Sequence, residues 1–137
     1  MNWFVYALIS MLFFSGMVLL FKKVLVLGIK PSVLMLFLSM SLAIFYAIHV
    51  GVTKTSPKIN IFGLVLIIIA AFLSYVANLL YTKSVAIAPN PGYSATIISL
   101  QLILITIVSI FLFGSEFDLT KGLGIVFAVI AAVLLAL

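Results

Sequence analysis

Cysteine and arginine are both missing from this 137-residue chain, and carboxylates nearly so, with Glu116 and Asp118 the two acidic residues. Without a thiol there is no disulfide, no thiolate metal site and no cysteine nucleophile. Two acids and a single histidine, His49, leave nothing from which a metal cluster or a nucleophile and base pair could be assembled, so neither cofactor nor metal is expected and the chain does not read as an enzyme. Charge of any sign is scarce, at 7% of residues against about a quarter in soluble domains. The seven basic residues are all lysines, placed mostly in short gaps between apolar runs. No basic cluster is interleaved with aromatics, which excludes a nucleic-acid partner, and the lysines read as interfacial anchors and topology signals.

What fills the chain instead is apolar surface, 67% of residues with a mean hydropathy of +1.55. No water-soluble fold of this size could bury so much, so the chain reads as a multi-pass integral membrane protein of the plasma or inner cell membrane, with lipid as its surroundings. Apolar runs cover about 3–21, 31–50, 60–82, 93–113 and 119–137, each near the roughly 20 residues a helix needs to cross about 30 Å of hydrocarbon. They lack the alternation of barrel strands, and backbone groups in lipid must be satisfied within the segment. The fold class expected is therefore an all-α bundle of five transmembrane helices in a single domain over 1–137. Met1-Asn2 carries no lysine and no small-residue cleavage site closes the first run, which reads as a retained helix and not as a signal peptide.

The gaps carry turn chemistry. Lys22-Lys23 closes the first run and Gly28-Ile29-Lys30-Pro31 turns into the second, with proline suited to a first helical turn. Residues 53–58 form the most polar loop, Ala88-Pro89-Asn90-Pro91-Gly92 a rigid turn, and Asp118 is placed to cap the last helix.

Five crossings set the two ends on opposite sides of the membrane, so two copies in tandem would be inverted relative to each other. That is one half of an inverted-repeat transporter, whose pathway lies between the repeats. With the N-terminus outside, Lys22, Lys23, Lys30 and Lys83 face inward and Lys54, Lys58 and Lys121 outward. Four against three gives almost no orientation bias, as expected of a protein inserted both ways and also of chance in a chain with so few lysines.

Polar residues inside the runs are the candidate site. Ser74, Asn78 and Tyr81 share one face of the third run by their spacing, and Ser94 and Gln101 stand seven apart in the fourth. Two roles fit them: glue between helices, worth on the order of 1 kcal/mol per bond, or the lining of a polar crevice that takes a substrate. Tyr6, Ser10 and Tyr46 are compatible with the same cavity, as is Ser39, although tyrosines near interfaces and serines bonded to their own helix are ordinary. In the last run Gly124, Ala128, Ala132 and Ala136 recur every four residues, a small-residue stripe that admits a close helix neighbour.

Tyr81, Ser84 and Ala88 leave the third run in a spacing that resembles the Tyr-x-x-Ala-x-x-x-Ala exit of EamA-domain proteins of the drug/metabolite transporter superfamily. Leu112-Phe113-Gly114-Ser115-Glu116, then Leu119-Thr120 and Gly124, is similar to that family's Gly-Glu turn, Leu-Ser/Thr step and last-helix glycine, and the first helix leading to Lys23 and Pro31 is similar too. The resemblance covers the whole chain as one five-helix unit. It implies small-metabolite transport by alternating access, in an antiparallel homodimer or with a second five-helix subunit; the alternative is a non-transporting membrane assembly subunit. Many members carry a proline in the middle of the fourth helix, where this chain has Leu100-Gln101-Leu102. The small multidrug resistance relatives have four helices and a glutamate in the first, which this chain lacks, so their proton-coupled export is not implied.

Overall fold

The structure is a computed structural model and describes residues 2–114 and 118–136, without the side chains of residues 3, 121, 135 and 136. The described chain is helical, with no strand: α1 (Trp3–Val26), α2 (Pro31–Thr53), α3 (Ile61–Ile87), α4 (Pro91–Ser99), α5 (Gln101–Phe113) and α6 (Leu119–Ala136). α1, α2, α3 and the segment Pro91–Phe113 are each long and apolar enough to cross a bilayer; α6, with 18 residues, is shorter. These helices make the chain a multi-pass membrane protein. The chain divides into two compact units, Met1–Ile87 and Ala88–Leu137.

In the first unit, α1 and α2 are joined by a short turn, and both pack against α3. The turn between them is closed by Gly28, whose φ of +87° costs an L side chain but not a glycine, and whose N–H bonds to Leu25 O at 3.0 Å. Pro31 then opens α2 as the sequence predicts, where its missing donor is one of the unused ones. α2 ends in a Schellman pattern, with Lys54 left-handed at φ 51° and Thr55 N–H reaching back to Val50 O at 3.2 Å. Asn60 starts α3 by accepting from Gly63 N–H at 2.7 Å.

Phe21 near the end of α1, Leu34 near the start of α2 and Val85 near the end of α3 are buried together, with Met17, Leu38 and Tyr81 packed around them. This core lies at the α1–α2 turn end. Away from it the helices present apolar side chains outward, among them Phe13, Phe45 and Phe72. In water that surface would be prohibitive, whereas in hydrocarbon it is the lipid-facing side.

In the second unit α4 packs against α6. Asn90 caps α4 by accepting from Gly92 N–H at 2.8 Å, with Pro91 at the first helical position. The Asp118 carbonyl accepts from Gly122 N–H at 3.1 Å at the head of α6. Among the described residues Ser94 in α4 and Ala132 in α6 are the buried side chains of this unit. Ala128 is half-buried, Gly124 exposed, and the side chain of Ala136 lies outside the described residues.

The fourth run, expected as one helix over 93–113, begins at Pro91 and is interrupted at Leu100. No proline is involved. Ser99 Oγ donates to Thr96 O at 2.6 Å, taking the carbonyl that the Leu100 N–H would meet in an α-helix, and Leu100 N–H turns to Ile97 O at 3.2 Å. Ile103 N–H meets Leu100 O at 3.0 Å, again three residues apart, so a tighter turn is wedged into the helix.

Replacing the fully buried Ala132 by leucine overpacks the second unit and is expected to cost about 1–3 kcal/mol, whereas Leu134→Ile, at a site 67% exposed, should do little. Thermal denaturation in detergent separates the two, and equal responses would rule out Ala132 as a packing point.

Candidate functional site

Polar groups in the first unit concentrate along α3. Asn78 Nδ2 donates to Ser74 O at 2.8 Å and to Ser74 Oγ at 3.0 Å, and Thr82 Oγ1 donates to Asn78 O at 2.7 Å. Ser74, Asn78 and Thr82 thus form a ladder at four-residue steps up one face. Ser74 is the middle residue of α3, Ile61–Ile87, so the hydroxyl–amide pair stands at the middle of the helix and one turn beyond it. Both side chains are exposed, and with both Nδ2 bonds made to Ser74, Asn78 Oδ1 has no donor among the described residues. An acceptor left bare in hydrocarbon costs several kcal/mol, so this face calls for a partner.

Tyr81 shares the helix but not that environment, since it is half-buried against Phe21, Leu34 and Val85. Thr82, which the sequence reading did not single out, is the fully buried end of the ladder.

Lys22 is the second feature that sequence reasoning missed. Read as an interfacial anchor, it instead donates from Nζ to Val85 O at 3.1 Å and to Ala86 O at 3.2 Å. These are among the last carbonyls of α3, which lack helical partners and carry the negative end of the helix dipole. A signal was present: α3 has no basic residue in its own last turn, and Lys22 and Lys23 end a neighbouring helix at the same level. Lys23 remains exposed.

In the second unit Ser94 and Gln101 fall in different surroundings. Ser94 is buried in α4, while Gln101 is exposed as the first residue of α5, directly after the interruption. Nothing among the described residues hydrogen-bonds the Gln101 amide. The interruption and Gln101 lie within two residues of the centre of Pro91–Phe113.

Tyr6 and Tyr46 are exposed, at the end of the α1–α2 hairpin away from the turn, and Ser10 borders a small apolar recess with Ile9 and Phe14. None of the three is joined to the α3 ladder by a hydrogen bond among the described residues. Ser39 is exposed on α2. A larger groove of about 760 Å³ runs between α1 and α2, from Leu12 and Gly16 to Val24 on one side and from Ile29 through Phe37 to Ser41 on the other. Its one hydroxyl is closed on its own helix, Ser41 Oγ to Phe37 O at 2.9 Å.

The chain matches no protein-family model, no curated protein and no solved structure.

Lys22→Met keeps the stem and removes two charge-assisted bonds, and a loss of about 2 kcal/mol of stability is expected. Lys22→Arg should recover most of it, and Lys23→Met should change stability by less than about 0.5 kcal/mol. Equal losses for Lys22→Met and Lys23→Met in a denaturation series would show that the α3 carbonyls do not need the clamp.

Proposed function

We propose that the chain is a five-span, EamA-like unit of the cell membrane that works as one half of a small-molecule transporter, paired with an inverted copy of itself or with a second five-span subunit. The observation that carries this reading is the interruption at Leu100, at the middle of a span, followed at once by the exposed Gln101 amide. The interruption is a single tightened turn, with Leu100 itself right-handed helical, and short tighter turns inside a helix often mark functional hinges, while midplane irregularity is a feature of transporter sites. The exposed Ser74–Asn78 pair, also mid-span, supplies a second polar surface of the kind such a pathway needs. The motif resemblance and the odd number of apolar runs support the same reading.

Ser74 also favours a second role, because Asn78 turns both donors into its own helix and offers only an acceptor outward. That is the economy of a helix-to-helix contact in a non-transporting assembly subunit. Uptake of a metabolite panel by proteoliposomes holding the purified chain discriminates the two. Under the transport reading Asn78→Leu and Gln101→Leu fold and assemble but each lower uptake at least about tenfold, a loss of about 1.4 kcal/mol in transition-state stabilisation. Folded variants with unchanged uptake, or variants that lose assembly and fold together, favour the assembly subunit.

Orientation gives an independent check. Lysines added at 28–31 should pin that loop in the cytoplasm, and lysines added at 53–58 should pin the opposite orientation. Each variant alone should be inactive, and co-expression should restore uptake. Full activity of either pinned variant alone overturns the antiparallel homodimer and leaves a separate partner or a parallel assembly.

A further inference from the structure

The groove between α1 and α2 has a depth that identifies its occupant. It runs from Leu12 to Val24 on α1 and from Ile29 to Ser41 on α2, about 18 Å along each helix at 1.5 Å per residue. Leu12 and Ser41 lie near the middles of Trp3–Val26 and Pro31–Thr53, and Val24 and Ile29 flank the turn between those helices. The groove therefore runs about half the length of each helix, from the turn to near their middles, a reach comparable to one leaflet's share, about 15 Å, of a 30 Å hydrocarbon core. A transmembrane helix docked on this hairpin would need a seat through both leaflets. An acyl chain needs one.

Charge at the turn end selects the headgroup. Lys23 precedes the lining residue Val24, Lys30 follows the lining residue Ile29, and both are exposed. Residues 1–87 contain no aspartate or glutamate, so no side-chain carboxylate of this unit neutralises them. Lys22, which precedes them, is drawn onto the α3 carbonyls, whereas Lys23 and Lys30 are exposed beside the turn. We propose that this groove is a site for an anionic phospholipid, with an acyl chain laid between α1 and α2 and the phosphate held by Lys23 and Lys30. Lipid recognition by lysines at a helix end is an ordinary electrostatic effect; the seat for the tail is what makes this a site instead of a charged rim. The proposal stands apart from the transport reading, since it uses neither Asn78 nor Gln101.

Native mass spectrometry of the full chain released from micelles containing equal dioleoylphosphatidylglycerol and dioleoylphosphatidylcholine tests it. Preferential retention of the glycerol lipid is expected, falling about fivefold for each lysine removed in Lys23→Gln and Lys30→Gln. Gly16→Leu and Ser41→Leu, made separately, fill the groove and should reduce retention of both lipids; a Cβ at Gly16 meets nothing within 4 Å, so the added side chain enters open space. A phosphatidylglycerol with a diazirine in its acyl chain should label Leu20 or Phe37. Equal retention of the two lipids by the unaltered chain overturns the proposal, as does an undiminished preference in the double lysine variant or labelling confined to other helices. Should one groove variant lose its helical circular dichroism, the other decides, and full retention in a folded groove variant likewise overturns the site.

Discussion

Inside a bilayer, burying apolar surface does not pull helices together, because lipid tails are as apolar as leucine. The contact on which the first unit depends is therefore polar: the Lys22 ammonium set on the Val85 and Ala86 carbonyls. It joins the end of α1 to the end of α3, and the short turn at Gly28 carries the start of α2 to the same place. Phe21, Leu34 and Val85 then exclude lipid around the clamp. Dispersion between such close-packed side chains is individually small and needs a fixed geometry, which the two hydrogen bonds supply. The α1–α2 groove borders this same core, lined in part by Phe21 and Leu34, and runs from the turn to about the middle of both helices.

The same economy governs the hydroxyls. Ser15, Ser41, Thr96 and Thr106 each donate to the carbonyl four residues earlier, so they meet lipid with their donors already engaged. Ser99 reaches back three residues instead of four, and the helix gives way at Leu100. A difference of one residue in the bond separates a serine that is inert from one that interrupts a span.

Helical class, membrane residence and the place of most turns were legible in the sequence because lipid demands long uninterrupted apolar runs and the turns use residues with strong local chemistry, Gly28, Pro31, Asn90 and Pro91. The i, i+4 proximity of Ser74 and Asn78 was legible for the same reason, since it is a property of one helix. The interruption at Leu100 was not, because no proline marks it and it turns on which carbonyl one serine hydroxyl meets, Thr96 O. Nor was Lys22, whose role depends on which helix end comes to stand beside it, a matter of tertiary packing. Tyr81 reads as the polar continuation of Asn78 along α3, yet the core at the turn end draws its ring inward.

Helix length has a consequence for where such a protein is comfortable. α3 has 27 residues, which correspond to about 40 Å of helix against a hydrocarbon core of about 30 Å. Such a helix must tilt, or stretch the bilayer around it. Each ångström of mismatch costs only a fraction of a kcal/mol, but membranes differ in thickness by several ångströms. The length of α3 thus makes bilayer thickness itself a variable to which the tilt of the first unit responds.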